Sequence, residues 1–275
     1  MLALIAGTGV LPPLLVDHLA AQGEVPLICE LEGFSSAVPA GLERVTFRLE
    51  QIGALLRIWA ERGVTRVCLA GAVERPTLHL RKLDLRTLPL LPRLMRALRR
   101  GDDGALREAI AIIEERGIAV VGATDIMPDL LPTEGVPTKA RPMARHDVDA
   151  RRGEVEVAAM GRADLGQSCV VKTGEIIQRE DQRGTDYMLA RLAPPGPKTT
   201  GARPAVRAIL FKAPKPGQDR RVDLPVIGPQ TAENAIKAGL DGIVIEAGGV
   251  MVPDLGTVVE RLDAAGLFLW VRGRS

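Results

Sequence analysis

L-A-L-I-A-G-T-G-V-L-P-P-L-L-V-D-H-L-A-A-Q-G-E-V-P-L-I-C-E-L, residues 2–31, holds two apolar runs separated by a glycine turn and a helical repeat. The first run, Leu2 to Ala6, ends at Gly7-Thr8-Gly9. Leu11, Leu14, Leu15, His18 and Leu19 then recur at helical spacing until Gly23, and Val25 to Leu31 forms the second run. This β-turn-α-β order opens a nucleotide-binding α/β fold. Gly7, Thr8 and Gly9 stand where a phosphate or ribose can approach backbone N–H groups. The full dinucleotide fingerprint is G-x-G-x-x-G, and Pro12 occupies the third glycine position, so the motif is broken. A tight turn explains two glycines equally well.

The alternation continues down the chain. Gln51 to Arg62 reads as an amphipathic helix ending at Gly63, and Val64 to Ala70 as a strand running into Gly71, Ala72 and Arg75. The carboxyl end of a strand is where ligands bind in an open α/β sheet. Arg75 can fork onto a phosphate there, or lie on the surface. Leu90 to Arg100 carries Arg93, Arg96, Arg99 and Arg100 on an amphipathic repeat, which suits either a solvated face or a membrane surface. Asp102 and Asp103 precede a helix to Arg116; one acid can cap it, leaving the other for a ligand hydroxyl or a metal. Thr124 and Asp125 follow a strand at Ile118 to Gly122.

Periodicity vanishes in Pro132 to Pro142, so the expected domains are 1–131 and 143–275, joined by a linker at 132–142. In the second half, Asp147 to Gly161 is helical and Ser168 to Lys172 pairs with Ile176 to Arg179 around Thr173-Gly174. Gly184-Thr185-Asp186 opens a helix, with Thr185 or Asp186 as a cap or the helix end as an anion site. After a Pro/Gly-rich loop at Pro194 to Pro204, apolar runs at Val206 to Phe211, Gly242 to Ala247 and Leu267 to Val271 alternate with helices at Ala232 to Ala238 and Leu255 to Ala265. The fold expectation is α/β: an N-terminal Rossmann-like domain and a second α/β domain, with the ligand site between them. Glu246, inside an apolar strand, calls for a partner or a site role.

Composition narrows the function. The 36 Lys and Arg against 34 Asp and Glu leave a net charge of +2, far from the basic excess of a nucleic-acid binder. Aromatics at 3% argue against base-stacking platforms. Cys29, Cys68 and Cys169 sit in apolar runs with no C-x-x-C, which suits buried thiols in a reducing compartment. His18, His79 and His146 are isolated, without metal-ligand spacing. No apolar run reaches about 18 residues. A soluble, cytoplasmic protein is expected.

The chemistry concentrates in I-L-F-K-A-P-K-P-G-Q-D-R-R-V-D-L-P-V-I-G-P-Q-T, residues 209–231. An apolar run delivers Lys212 into a proline-stiffened loop bearing Lys215, Gln218, Asp219, Arg220, Arg221 and Asp223, and Thr231 can cap the next helix. Cations with a carboxylate in a rigid loop suit a phosphorylated ligand and a divalent metal, although solvated surface charges give the same composition. On that chemistry Asp223 is the first choice for a Mg²⁺ ligand or base. Lys212 and Lys215 would offset phosphate charge, and Thr185, Asp186 and Gln218 could place water, metal or hydroxyls.

The same stretch closely resembles the signature of the LpxI-type UDP-2,3-diacylglucosamine pyrophosphatases. Further segments resemble that family in order: A-G-T-G-V-L-P (6–12), G-A-V-E-R-P (71–76), G-D-D-G-A-L (101–106), D-L-G-Q (164–167), G-T-D-Y-M-L (184–189) and E-A-G-G (246–249). The resemblance implies Mg²⁺-dependent hydrolysis of UDP-2,3-diacylglucosamine to UMP and 2,3-diacylglucosamine 1-phosphate in lipid A biosynthesis. It implies that water attacks the phosphorus nearer the sugar, within two domains that enclose the ligand. It supports Asp223, Asp186 and Lys212 as catalytic. It also supports Gly7, Thr8, Gly9, Gly71, Ala72, Arg75, Asp102, Asp103, Thr124, Gln167, Thr185, Lys215 and Gln218 as substrate-binding, without fixing each role. A peripheral contact with the cytoplasmic face of the inner membrane follows from a lipid substrate. Two other readings stay open: a non-catalytic nucleotide-binding module, and an NAD-dependent oxidoreductase with Glu30 or Glu32 on the ribose.

Overall fold

Runs of Leu, Ile, Val and Ala with no polar alternation are what parallel strands covered on both faces require. The computed structural model describes residues 1–73, 83–98, 102–192 and 207–274, with the side chains of 97, 98, 102, 103 and 105 left out. It forms two α/β units, Met1–Pro128 and Asp129–Ser275.

In the first unit, β1 (Leu2–Ala6), β2 (Leu27–Leu31), β3 (Arg44–Phe47), β4 (Arg66–Ala70) and β5 (Ala119–Val121) lie in the order β3-β2-β1-β4-β5. All the pairs are parallel. This is the Rossmann order, and its switch point falls between β1 and β4. The helices are α1 (Leu11–Ala21), α2 (Ile52–Glu61), α3 (Leu91–Leu98), α4 (Asp102–Glu114) and α5 (Ala123–Ile126). Helix α1 tolerates Pro12 and Pro13 because first-turn N–H groups have no intrahelical acceptor. It buries Leu11, Leu15, Val16 and Leu19. Strand β3 has no counterpart among the expected elements: four residues, R-V-T-F, are too few for a period to show.

In the second unit, β6 (Ser168–Lys172), β7 (Glu175–Arg179), β8 (Ile209–Lys212), β9 (Gly242–Glu246) and β10 (Phe268–Arg272) lie in the order β10-β9-β8-β6-β7. Strands β8, β9 and β10 are parallel, and β6 runs antiparallel to both β8 and β7. A two-residue loop, Thr173-Gly174, closes the β6–β7 hairpin with φ of 50° and 78°, the positive values a type I′ turn requires. The helices are α6 (Ala144–Arg162), α7 (Gly184–Leu192), α8 (Pro229–Lys237) and α9 (Leu255–Ala265).

Successive strand residues face opposite sides of this sheet. Ile209, Phe211, Val244 and Phe268 pack with Ala150, Val157 and Met160 of α6. Leu210, Ile243, Ile245, Leu269 and Val271 pack with Met188, Ala232, Val258 and Leu262 of α7, α8 and α9. The sheet is therefore a middle layer, covered by helices on both faces.

The stretch at 132–142 is fastened to the second unit. Gly135 and Val271 exchange two backbone bonds of 2.9 and 2.8 Å, the Leu269 N–H donates to Thr138 Oγ1 at 2.9 Å, and the Lys139 N–H donates to Asp263 Oδ1 at 2.7 Å. These bonds cover the outer edge of β10. Helix α8 begins at Pro229 with Gly228 at its N-cap, so Thr231 is a buried first-turn residue and not the expected cap. Proline at the first helical position, with φ already set, starts the helix earlier. The three thiols are buried and free, and burial pushes them up to about 11 for Cys29 and about 12 for Cys68 and Cys169.

Candidate active site

Strand β8 ends at Lys212, which is only 6% exposed. Its Nζ donates to Thr185 Oγ1 at 2.8 Å and to the Val226 carbonyl at 3.0 Å. Thr185, also buried, donates to Glu180 Oε1 at 2.9 Å and lies 3.2 Å from Ser168 Oγ. The second Glu180 oxygen accepts from the Gln167 N–H at 2.9 Å. Burial pushes the Lys212 ammonium below the usual lysine range, while the charges of Glu180 and Asp186 push it back up. Asp186 Oδ1 accepts from Asn234 Nδ2 of α8 at 3.2 Å. Thr185 thus spends its hydroxyl on Glu180 and does not cap α7.

The loop after Lys212 is held along its length. The Ala213 N–H donates to the Gln167 carbonyl at 3.2 Å. Gln218 is clamped on both sides: its Oε1 accepts from the Lys215 N–H at 2.9 Å, and its Nε2 donates to Asp223 Oδ2. The Asp223 N–H donates to the Asp219 carbonyl at 3.2 Å, and Arg221 pairs with Asp219 at 2.7 Å. Arg220 reaches Glu246 Oε1 at 2.9 Å and the Gly248 carbonyl at 3.2 Å. That ion pair is what permits Glu246 in an apolar strand. A Cβ at Gly249 would stand 2.8 Å from Pro214 and 2.9 Å from Glu246 Oε1, so this turn must be glycine for the loop to lie against it. Beyond the loop, the Ile227 N–H donates to the Met251 carbonyl at 3.0 Å and the Met251 N–H to the Pro225 carbonyl at 2.8 Å.

The expected residues separate accordingly. Lys212, Thr185, Asp186 and Gln167 belong to one buried network. Asp223, Gln218 and the Lys215 backbone belong to a second cluster on the same loop. The Lys215 side chain pairs with Asp164 at 2.7 Å. Gln167 Oε1 is buried with no hydrogen-bond partner among the described residues, an acceptor left for a donor group. Glu180, Ser168 and Asn234 were not anticipated. The available signal was an acid just past a strand, four residues ahead of G-T-D.

In the first unit, Gly7, Thr8, Gly9, Gly71 and Ala72 lie at the β1/β4 switch point. The two loops are bound to each other there. The Gly7 N–H donates to the Ala70 carbonyl at 2.8 Å, the Thr8 N–H to Ala72 O at 2.8 Å, and the Ala72 N–H to Thr8 O at 2.9 Å. Thr8 Oγ1 also donates to Ala72 O at 3.1 Å. A Cβ on Gly7 would stand 2.5 Å from that carbonyl. Close approach of two loops explains Gly7, and the N–H groups of Gly7, Thr8 and Ala72 are already spent on it. Pro12 and Pro13 also strip donors from the start of α1.

Glu30 accepts from Ser36 and from Arg44 at 2.9 Å, and Glu32 pairs with Arg48, so neither acid is presented as a ribose grip. Burial raises the Glu30 pKa, but its hydrogen bonds with Ser36 and the Arg44 charge outweigh that and hold it below the usual range. Thr124 is half-buried in α5. Arg75, Arg99, Arg100, His79 and Pro194 to Pro204 lie outside the described residues, as do the side chains of Asp102 and Asp103 at the start of α4.

Arg93 is bound to Glu108 of α4 and to Glu115 just past its end, and is not part of an open basic face. The hydrogen bonds that Arg93 donates to Glu115 and Glu108 raise its pKa. His146 stacks on Phe268 with centroids 4.8 Å apart and lies 3.2 Å from Asp241; burial keeps its pKa down. Among the described residues no three His, Cys, Asp or Glu gather as a metal site, and no helix is long and apolar enough to cross a membrane.

A Rossmann-ordered unit, and a second α/β unit whose strand ends gather a buried lysine, carboxylates and amides, define a two-domain α/β protein. Residues 1–130 match the LpxI N-terminal domain and residues 133–270 the LpxI C-terminal domain. The chain belongs to the LpxI family. A relative from Caulobacter vibrioides, the UDP-2,3-diacylglucosamine pyrophosphatase LpxI, is 36% identical over 268 residues, covering 98% of this chain and 96% of its own.

Proposed function

We propose that this protein hydrolyses the pyrophosphate bond of UDP-2,3-diacylglucosamine, yielding UMP and 2,3-diacylglucosamine 1-phosphate in lipid A synthesis. The observation that carries this reading is the match, across both units, to a relative with that named activity. The geometry is compatible with it. Phosphoanhydride cleavage needs charge neutralisation, an aligned water and a held substrate. Lys212 supplies a cation without a water shell of its own, so its field on a phosphoryl oxygen is little screened. Asp223, fixed by Gln218, is the carboxylate for a metal or for the water proton. Thr185 and Asp186 orient the groups around Lys212, and Gln167 offers its buried carbonyl to a substrate donor. The expected binding residues of the first unit, including Arg75, Asp102, Asp103 and Thr124, serve the nucleotide side.

Magnesium fits this donor set. Mg²⁺ is held by one or two carboxylates together with substrate phosphates, seldom by an all-protein cage. Asp223 is therefore sufficient where the diphosphate provides the remaining oxygens. When bound, the ion would neutralise phosphoryl charge and acidify water.

Incubation with substrate and Mg²⁺ should release UMP. Exhaustive chelation should stop turnover, with Mg²⁺ or Mn²⁺ and not Zn²⁺ restoring it. In H₂¹⁸O, label in the sugar phosphate and none in UMP is the expected result. Label in UMP would place attack on the other phosphorus. Retention of full activity without metal would remove the ion from the mechanism. A cytoplasmic location and salt-sensitive contact with anionic membranes belong to the same proposal, since the substrate carries two acyl chains. Vesicle co-sedimentation at low and high salt tests that contact.

A further inference from the structure

Glu180 takes no part in the roles assigned above, yet it is a carboxylate only 8% exposed beside a buried ammonium. The hydrogen-bond directions are forced. An ammonium only donates, so Thr185 Oγ1 must accept from Lys212 at 2.8 Å. Its single proton then goes to Glu180 Oε1 at 2.9 Å. Ser168 Oγ, at 3.2 Å, is left to donate to Thr185. Glu180 Oε2 takes the Gln167 N–H, so both carboxylate oxygens are held. The Lys212-to-Glu180 separation across one hydroxyl is at most roughly 6 Å, within the range where one charge sets the protonation of another.

We infer that Glu180 is a positioning residue for the reaction: through the Thr185 hydroxyl, its carboxylate keeps the buried Lys212 ammonium charged and aimed. This rests on the reading of Lys212 as the cation that meets the diphosphate.

Two donor directions of Lys212 are fixed, on Thr185 from α7 and on Val226 from the loop. The third N–H of an ammonium then has a defined direction as well. The charged groups that act on Lys212 are Glu180, which follows β7, and Asp186 of α7. Asp186 is turned onto Asn234 of α8, whereas Glu180 is joined to Lys212 by the relay. Burial disfavours the charged amine, and the Glu180 and Asp186 carboxylates oppose that effect.

The test is Glu180→Gln, which keeps an acceptor for Thr185 and removes the charge. Lysine side-chain NMR on the full chain, with Lys212 assigned through Lys212→Met, reads its titration directly. The midpoint should fall by about 1–3 pH units in Glu180→Gln. The alkaline limb of kcat/KM should fall with it, and activity should recover at lower pH. A merely structural role would not give that recovery. Glu180→Asp, which keeps the charge, should lie between the two. Should Glu180→Gln fail to fold, Thr185→Val cuts the relay without touching the carboxylate and must move the midpoint the same way. An unchanged Lys212 midpoint overturns the inference. A midpoint that moves while the alkaline limb stays would uphold the coupling and refute the phosphate role of Lys212 instead.

Discussion

Replacing Asp223 by Asn separates chemistry from architecture at one position. Asp223 Oδ2 accepts from Gln218 Nε2, and Gln218 Oε1 in turn accepts from the Lys215 N–H at 2.9 Å. The backbone there is tied independently, by the Asp223 N–H on the Asp219 carbonyl at 3.2 Å. Asparagine has nearly the same volume and can offer its carbonyl to Gln218. A bond to a charged acceptor contributes about 1.5–3 kcal/mol and a neutral one about 0.5–1.5, so the fold should lose about 1 kcal/mol. In a unit of this size that lowers Tm by about 2–4 °C. The rate is another matter, because the amide lacks the negative charge that favours a hard cation and cannot take a proton. Loss of a general base costs about 10²–10⁴-fold, or about 3–5 kcal/mol, several times the stability term. Substrate Kd should change little, since Lys212 is untouched. The assay is kcat from UMP release, Kd from titration calorimetry and Tm from a thermal melt, all on one variant. Gln218→Ala is the companion: it keeps the carboxylate and loosens its aim, and should cost less than about 10²-fold. A kcat for Asp223→Asn within a few-fold of the parent refutes the catalytic assignment. A Tm loss above 10 °C would make the carboxylate structural.

Gly7→Ala should destabilise the first unit by about 1–3 kcal/mol, because the new methyl meets the Ala72 backbone and not a yielding side chain; an unchanged urea midpoint would contradict the packed-loop geometry. The Glu156 pKa is lowered chiefly by its hydrogen bond from Arg179, with Arg152 assisting against burial. A depressed carboxylate stabilises the fold above its unfolded pKa of about 4.3 and loses that contribution as pH falls through the folded value. Glu156→Gln should therefore be about 1–2 kcal/mol less stable at pH 7, with the difference from the parent shrinking as pH falls through the folded value. A pH-independent difference would show that the charge is irrelevant. Residues 1–131 alone should not turn over substrate, as Lys212 and Asp223 lie in the other unit; hydrolysis by that fragment at the intact rate would relocate the chemistry.

Much of the fold was legible because burial writes itself locally. Leu2–Ala6, Ile209–Lys212, Gly242–Glu246 and Phe268–Arg272 are short apolar runs between turn residues, and such runs have few homes other than buried parallel strands. Helix α1 announced itself through Leu11, Leu15 and Leu19. Strand β3 did not, since an edge strand of four residues needs no sustained pattern. The site was legible as composition. The stretch from 209 to 231 displayed its lysines, Gln218 and Asp223 in full view.

Lys212 and Lys215 are three apart in sequence and identical in type, yet one is a buried hub and the other reaches Asp164 at 2.7 Å. The same limit applies to Gly7, whose demand for glycine comes from Ala72 on a distant loop, and to Glu180, whose partner Thr185 is itself held by Lys212. Sequence by itself determined most of the order of strands and helices, the two α/β halves and the stretch that gathers the candidate residues, because hydrophobic period and turn chemistry act between near neighbours. Tertiary structure alone decided which lysine is buried, which carboxylates are paired and which N–H groups are spent, because charges and donors choose partners by distance in space, and sheet order brings together residues far apart in the chain.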